Sequence, residues 1–376
     1  MRKTTFRPAV GAAVTVALSA VLLPVTATSA SAAEPGTADS ATAKSFARIA
    51  DAVLAQRSEA LVDAAKTRAA GSFSDGKVRI AASLKRSEDS ALSSLRKRKQ
   101  RLNALGEAYS AADTTTTVEK TTVKNGRATV QVTETTRFTY KKVRGDEPTT
   151  TGFTAHHELS FTGKSGKWEL TGIRPTDNGP AAINEPRTAA TSDTGALPTG
   201  TPASTSRWSA RPQPKDLRAG GYDYAAMADY AEKYWRNYNP AYRKFNDAGG
   251  DCTNFISQAL AAGGWKQEPG GAEDFRKWWY NSKGEATSWV GANEWSWYAL
   301  SSKRVTSLSN VFQMDVGDIM QMDFDGDGSK DHSMMVTYRS RAGVPYLTYH
   351  STNTYRKSVA SIIASYPDAV YYAYRT

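Results

Sequence analysis

Apolar positions between residues 41 and 105 recur at helical spacing. Phe46, Ile49, Val53, Leu54, Leu61 and Ala64 line one face of a helix expected over about 41–70. Ile80, Leu84, Leu92, Leu95, Leu102 and Leu105 line a second, over about 77–108, and Gly71-Ser72-Phe73-Ser74-Asp75-Gly76 breaks the two apart. From Thr114 the character changes. Two runs rich in Thr and Val, 114–123 and 128–140, flank Lys124-Asn125-Gly126-Arg127, and Asn-Gly between such runs predicts a tight hairpin. Two further strands, 153–162 and 167–173, are joined by Gly163-Lys164-Ser165-Gly166, with the last expected at a sheet edge. Helices followed by an antiparallel meander predict a smaller α+β domain over 34–175. Its expected role is binding, spacing or inhibition of its neighbour. His156 and His157 are neighbours on one strand, point to opposite faces and read as structural.

Periodicity is lost over 176–217. Pro180, Pro186, Pro198, Pro202, Pro212 and Pro214 stand among Thr, Ser, Ala and Gly, and the segment reads as a linker. A second α+β domain is expected over 218–376. Met227, Tyr230, Ala231 and Tyr234 share one helix face, and that helix ends before Asn239-Pro240. A second helix, with Phe255, Ile256, Ala259 and Leu260, follows Gly249-Gly250. A Trp-rich stretch, 265–297, leads into strands near 318–322, 332–338, 346–351 and 369–374. Most of its tryptophans read as core, and some as a cleft lining.

Residues 1–33 have a different character again. Arg2, Lys3 and Arg7 precede an apolar run from Ala9 to about Val25, and Ala30-x-Ala32 fits a cleavage site. The run is short for a membrane span, and no cysteine follows it for lipid attachment. An exported chain in the vicinity of a bacterial wall is expected, without a membrane span and as a monomer. Loss of Arg2, Lys3 and Arg7 takes the formal net charge from +11 to +8. That balance suits an anionic wall surface. Nucleic acid is disfavoured, because the densest basic run, 96–101, lacks interleaved aromatics.

Export makes Cys252, the one cysteine among 376 residues, informative. It has no partner for an internal disulfide, and it lies where a helix starts, where free N–H groups and the helix dipole favour thiolate. A nucleophilic cysteine needs a base, and the base needs an orienting group. The second domain offers two histidines, His332 opening one expected strand and His350 closing the next. Asp251 reads as a helix cap. Asp323-x-Asp325-x-Asp327-Gly328 opens like a calcium loop, but its twelfth position is Met334 instead of a bidentate Glu. A tight polar turn is the preferred reading, with a calcium site at Asp323, Asp325 and Asp327 as the alternative and no other cofactor.

These residues carry a resemblance. Tyr234-Trp235-x-x-Tyr238-Asn239-Pro240-x-Tyr242, Asp251-Cys252-Thr253-Asn254-Phe255-x-Ser257-Gln258-Ala259-Leu260, Gly317-Asp318-Ile319 and Asp331-His332 resemble the putative amidase domain of secreted bacterial proteins. More distantly they are similar to the NlpC/P60 and CHAP groups of papain-like hydrolases, which cleave amide bonds in wall peptides. The resemblance implies a papain-like fold, Cys252 as nucleophile and His332 as base. The orienting residue would be His350, or alternatively Asn353. The oxyanion would meet the Cys252 backbone N–H and a second donor, with Tyr238 and Tyr242 as candidates. The expected substrate is a peptide or peptidoglycan. Acyl transfer to an amine, or wall binding without catalysis, are the alternatives.

Overall fold

In the computed structural model the first half folds as α1 (Ser40–Glu59), β1 (Ser74–Asp75), β2 (Val78–Ile80), α2 (Ala82–Ala104), β3 (Tyr109–Lys124), β4 (Arg127–Tyr140), β5 (Thr150–Lys164) and β6 (Lys167–Pro175). The second half folds as α3 (Tyr224–Tyr234), α4 (Cys252–Ala262), β7 (Tyr280–Asn281), β8 (Gly284–Glu285), α5 (Thr287–Val290), α6 (Ala292–Ser301), β9 (Thr306–Leu308), β10 (Ile319–Asp323), β11 (His332–Arg339), β12 (Pro345–Tyr349), β13 (Asn353–Ser358), α7 (Val359–Ser365) and β14 (Val370–Arg375). The structure describes residues 40–63, 74–75, 78–164, 167–186, 201–208, 214–217 and 221–376. The expected export signal, 1–33, lies outside them. No helix among the described residues is long and apolar enough to cross a membrane.

The protein is α+β, as expected, but the first two helices are shorter than their periodicity predicted: α1 ends at Glu59, and Val78–Ile80, expected as the start of the second helix, forms β2. The Asn125-Gly126 turn joins β3 to β4 with both residues at positive φ, 50° and 68°. That is the geometry for which Asn-Gly is selected in two-residue hairpins. The alternation in β4 sends Val130, Val132 and Phe138 inward and leaves Thr133, Thr135 and Arg137 outside.

The sheet is larger than two separate domains would give. Twelve strands of the described residues form one sheet, and β5 is the strand that both halves share. Along one edge β5 pairs with β4. Along the other its C-terminal part pairs with β6, while Gly152, Phe153 and Thr154 pair with Tyr355, Thr354 and Asn353 of β13. The expected edge strand β6 is covered, because β2 adds to it in parallel. A shared core backs this joint. Leu95, Leu102, Tyr109, Phe138 and Phe153 from the first half pack with Tyr346 and Ala364 from the second.

The expected linker is tied to the fold in part of its described length, although Trp208 and Leu217 are exposed. Ala182 and Ile183 are buried in that shared core, and Ile183 C=O accepts from Arg98 Nη1 at 2.6 Å. Asn184 Nδ2 donates to Glu134 Oε1 at 2.6 Å and to Ser58 Oγ at 2.9 Å, inside the first half. Ser204 bridges to Tyr371. Proline removes N–H donors and periodicity, which is what free coil looks like in sequence. It does not stop such a segment from packing through its carbonyls and the apolar residues between.

In the second half the sheet β12-β11-β10-β14 separates two layers. On one side Phe255, Ile256, Ala259 and Leu260 of α4 join Ile319, Met335, Tyr374 and the buried Trp265, Trp278, Trp289 and Trp295. Most of the tryptophan-rich stretch is therefore core. On the other side Met320, Met322, Met334, Val336, Leu347 and Tyr349 pack against Val359 and Ile362 of α7. Strand alternation assigns each residue of β11 to one layer or the other, and this decides which groups can reach Cys252.

Candidate active site

Cys252 is the first residue of α4. Gly249 and Gly250 precede it with φ of 97° and 118°, values that L side chains rarely adopt. The loop Phe245–Asp251 is closed on itself. Gly250 N–H donates to Phe245 C=O at 3.1 Å, and Phe245 N–H donates to Asp251 Oδ1 at 2.9 Å. Cys252 is buried, with 7% of the residue exposed. Burial raises its pKa, opposed by the backbone N–H of Ser333 and the Thr253 hydroxyl, which lies 3.7 Å away. An N–H of β11, that of Ser333, is directed at the sulfur.

Asp251 does not cap α4, although it occupies the N-cap position. Its carboxylate is wholly buried and turns to three other groups. Oδ1 accepts from Phe245 N–H and from Asn254 Nδ2, both at 2.9 Å, while Oδ2 lies 2.6 Å from His350 Nδ1. The other nitrogen of that ring, Nε2, donates to the Tyr234 carbonyl at the end of α3, 2.8 Å away. Above and below, the ring is held by Tyr238 and Phe255, with centroids at 3.9 and 4.0 Å. His350 is thus fixed at both nitrogens and on both faces, beside the residue that precedes Cys252.

Two hairpin residues complete this arrangement. Ser351 and Thr352 turn β12 into β13 with φ of 59° and 58°, a conformation that costs non-glycine residues of order 1–3 kcal/mol each. Their side chains account for their presence. Ser351 Oγ accepts the Asp251 N–H at 3.0 Å, and Thr352 Oγ1 donates to Pro180 C=O at 2.6 Å. Asn178 Nδ2 donates to Asn246 C=O at 2.6 Å. The segment after β6 therefore lies across the loop that carries Asp251 and Cys252.

The expected Cys252–His332 pair is not formed. His332 stands opposite Met322 in the β10–β11 register, so its side chain enters the α7 layer, while Ser333 turns to α4 and shares a 2.9 Å hydrogen bond with Thr253 Oγ1. Its ring lies against Tyr349, centroids 5.1 Å apart, and near Phe324. Neither nitrogen has a hydrogen-bond partner, and burial, then the charge of Lys357, pushes its pKa down to about 3. His350 consequently does not orient His332, and it takes its own orientation from Asp251.

The remaining expected residues also have definite places. Asn353 Oδ1 lies 3.0 Å from Tyr238 OH, which is 3.1 Å from Asn246 Oδ1, so the Tyr238 hydroxyl is engaged and its ring covers His350. The Tyr242 ring packs on Tyr280 and Trp289, with centroids 4.8 and 6.1 Å away. Asp323, Asp325 and Asp327 bring carboxylate oxygens within 4.8 Å of one another. They also accept backbone N–H groups of their own turn, Asp323 from Gly326 and Gly328 and Asp327 from Ser329. The turn ends at Asp331, beside His332. In the first half, His157 is buried against Glu134 at 2.9 Å, and His156 meets Asp177 at 2.8 Å.

Sequence reasoning missed Asp251 as the partner of His350. The available signal was an acidic residue that a helix start would bury directly beside the nucleophile.

Residues 221–374 match the sequence profile of the family described as the putative amidase domain. Two curated Bacillus subtilis (strain 168) proteins are similar over this region. Uncharacterized protein YhbB is 35% identical over 144 residues, covering 37% of this chain and 45% of the relative. Uncharacterized protein YjcM is 34% identical over 143 residues, covering 35% and 32%. The chain spans less than half the length of these relatives. No solved structure matches it.

Proposed function

We propose that residues 221–374 hydrolyse an amide bond by a papain-like cysteine mechanism, with Cys252 as nucleophile and His350, held by Asp251, as its base. The observation that carries this reading is the buried Asp251–His350 contact of 2.6 Å beside the single cysteine at a helix start. The match to an amidase profile supports the reaction class. Nδ1 on a carboxylate leaves Nε2 as the nitrogen for proton transfer, the arrangement of a nucleophile–histidine–acid triad. In the described state Nε2–H is on the Tyr234 carbonyl. Activation then consists of loss of that Nε2 proton to solvent and an in-plane swing of the ring, which keeps Nδ1–H on Asp251 and brings the bare Nε2 to the sulfur to take the thiol proton. The rings of Tyr238 and Phe255 allow movement in that plane and block rotation out of it.

Thiolate attack on the carbonyl carbon gives a tetrahedral intermediate, and its oxyanion would be met by backbone N–H groups at the start of α4. The ring returns its proton to the leaving amine, and water releases the acyl group from sulfur. An exported chain with net charge +8 after loss of residues 1–33 suits an anionic wall, and wall peptide is the substrate we favour. Purified peptidoglycan incubated with the mature chain and analysed by mass spectrometry tests this. New amino and carboxyl ends at peptide amides are expected, and none with Cys252→Ala. Cleavage that persists unchanged in Cys252→Ala would remove the nucleophile from the account.

A further inference from the structure

Where the two halves join, the outer face of the sheet carries an open groove. Two rungs of side chains form its floor. Asp113, Arg137, Gly152 and Tyr355 stand side by side on β3, β4, β5 and β13, and Thr115, Thr135, Thr154 and Asn353 form the next rung. Residues within a rung share a face and lie in contact distance of one another. Trp235, at the C-cap of α3, makes the wall. Its ring packs on Tyr355 with centroids 5.7 Å apart, and the Arg236 guanidinium lies 5.5 Å from its centre. All of these except Thr154 and Asn353 line a cavity of about 460 Å³, within the range of about 300–1,000 Å³ usual for small-ligand sites.

Gly152 adds no side chain to the floor, and a Cβ there would meet the Thr136 carbonyl at 2.9 Å.

The chemistry of the lining selects the ligand class. Threonine hydroxyls both donate and accept, and Asp113, Arg137 and Arg236 add a charged acceptor and forked donors. Trp235 and Tyr355 offer half-buried ring faces above them. A sugar ring matches this combination, with a C–H face for the aromatics and a rim of hydroxyls for the floor. An extended peptide would pair with a free strand edge; β4, β5 and β13 are each paired on both sides, and β3 is paired with β4 alone. Contacts link this face to His350: Asn353 of the second rung meets Tyr238, which covers His350, and Trp235 follows Tyr234, whose carbonyl holds His350.

We propose that this groove binds an oligosaccharide, with one ring stacked on Trp235 and Tyr355 and its hydroxyls on Thr115 and Thr135. The proposal does not depend on amide hydrolysis, so it is tested on the full chain carrying Cys252→Ala. Calorimetric titration would use a β-1,4-linked N-acetylglucosamine tetramer, a β-1,4-linked glucose tetramer and tetra-alanine. At least one saccharide is expected to bind with Kd below about 1 mM. Trp235→Ala should weaken that binding at least tenfold. The isosteric Thr135→Val, which keeps a β-branched strand residue, should weaken it several-fold. Saccharide binding unchanged in both variants, no binding of either saccharide, or tetra-alanine binding lost in Trp235→Ala would each overturn the assignment.

Discussion

At the scale of single residues, the site turns on which layer each side chain enters. Cys252 and His350 belong to the α4 layer, and His332 is buried without a partner on the other side. That burial has a pH signature. The folded-state pKa of His332, about 3, lies below its unfolded value of 6.5, so protons bind the unfolded chain better, and stability falls as pH drops through 6.5. Linkage puts the loss from this group at about 2 kcal/mol at pH 5. His332→Leu should therefore show less acid destabilisation than the native chain, read as the difference in urea midpoints between pH 7.5 and pH 5. Asp251 has the opposite importance. Asp251→Asn loses the carboxylate beside Nδ1, and amide hydrolysis should fall about 10²–10⁴-fold.

At the scale of elements, the β12–β13 hairpin accepts backbone strain in order to place Ser351 Oγ under the Asp251 N–H. Ser351→Ala would leave that buried donor unpaired, at a cost of about 1–3 kcal/mol. Urea unfolding should show the loss, and hydrolysis should fall as Asp251 loosens. Much of this architecture was legible in the sequence. Periodicity located α1, α2 and the strands of the meander, and Asn125-Gly126 fixed a turn. The Gly249-Gly250 break located the start of α4. β13 and α7 went unread, because the run Asn353–Ser358 mixes Thr, Tyr, Arg and Lys and is buried through pairing instead of apolar alternation. His332 was misplaced for a related reason. A motif places a residue on a strand, but the register against Met322 decides its face, and register depends on partners far along the chain.

At the scale of the whole molecule, the two halves are one folding unit. β5 pairs with β13, Tyr109 OH meets Ser361 Oγ at 2.7 Å, and Arg101 Nε donates to Ala364 C=O at 2.9 Å. Composition could not reveal this, because a proline-rich segment between two periodic regions reads as a tether. Calorimetry on residues 34–376 should give one cooperative transition, whereas two separable transitions would indicate independent domains. A chain beginning at residue 218 should be poorly soluble. It would expose the β13 edge and the apolar surface of Tyr346 and Ala364.

The central claim is that His350, and not His332, serves Cys252. Its most direct test is kcat/KM for amide hydrolysis by Cys252→Ala, His350→Ala and His332→Leu, with folding of each checked by circular dichroism. The account predicts loss of about 10²–10⁴-fold for His350→Ala, at least as much for Cys252→Ala, and a change within tenfold for His332→Leu. A folded His332→Leu chain as inactive as Cys252→Ala, with His350→Ala still active, would contradict it.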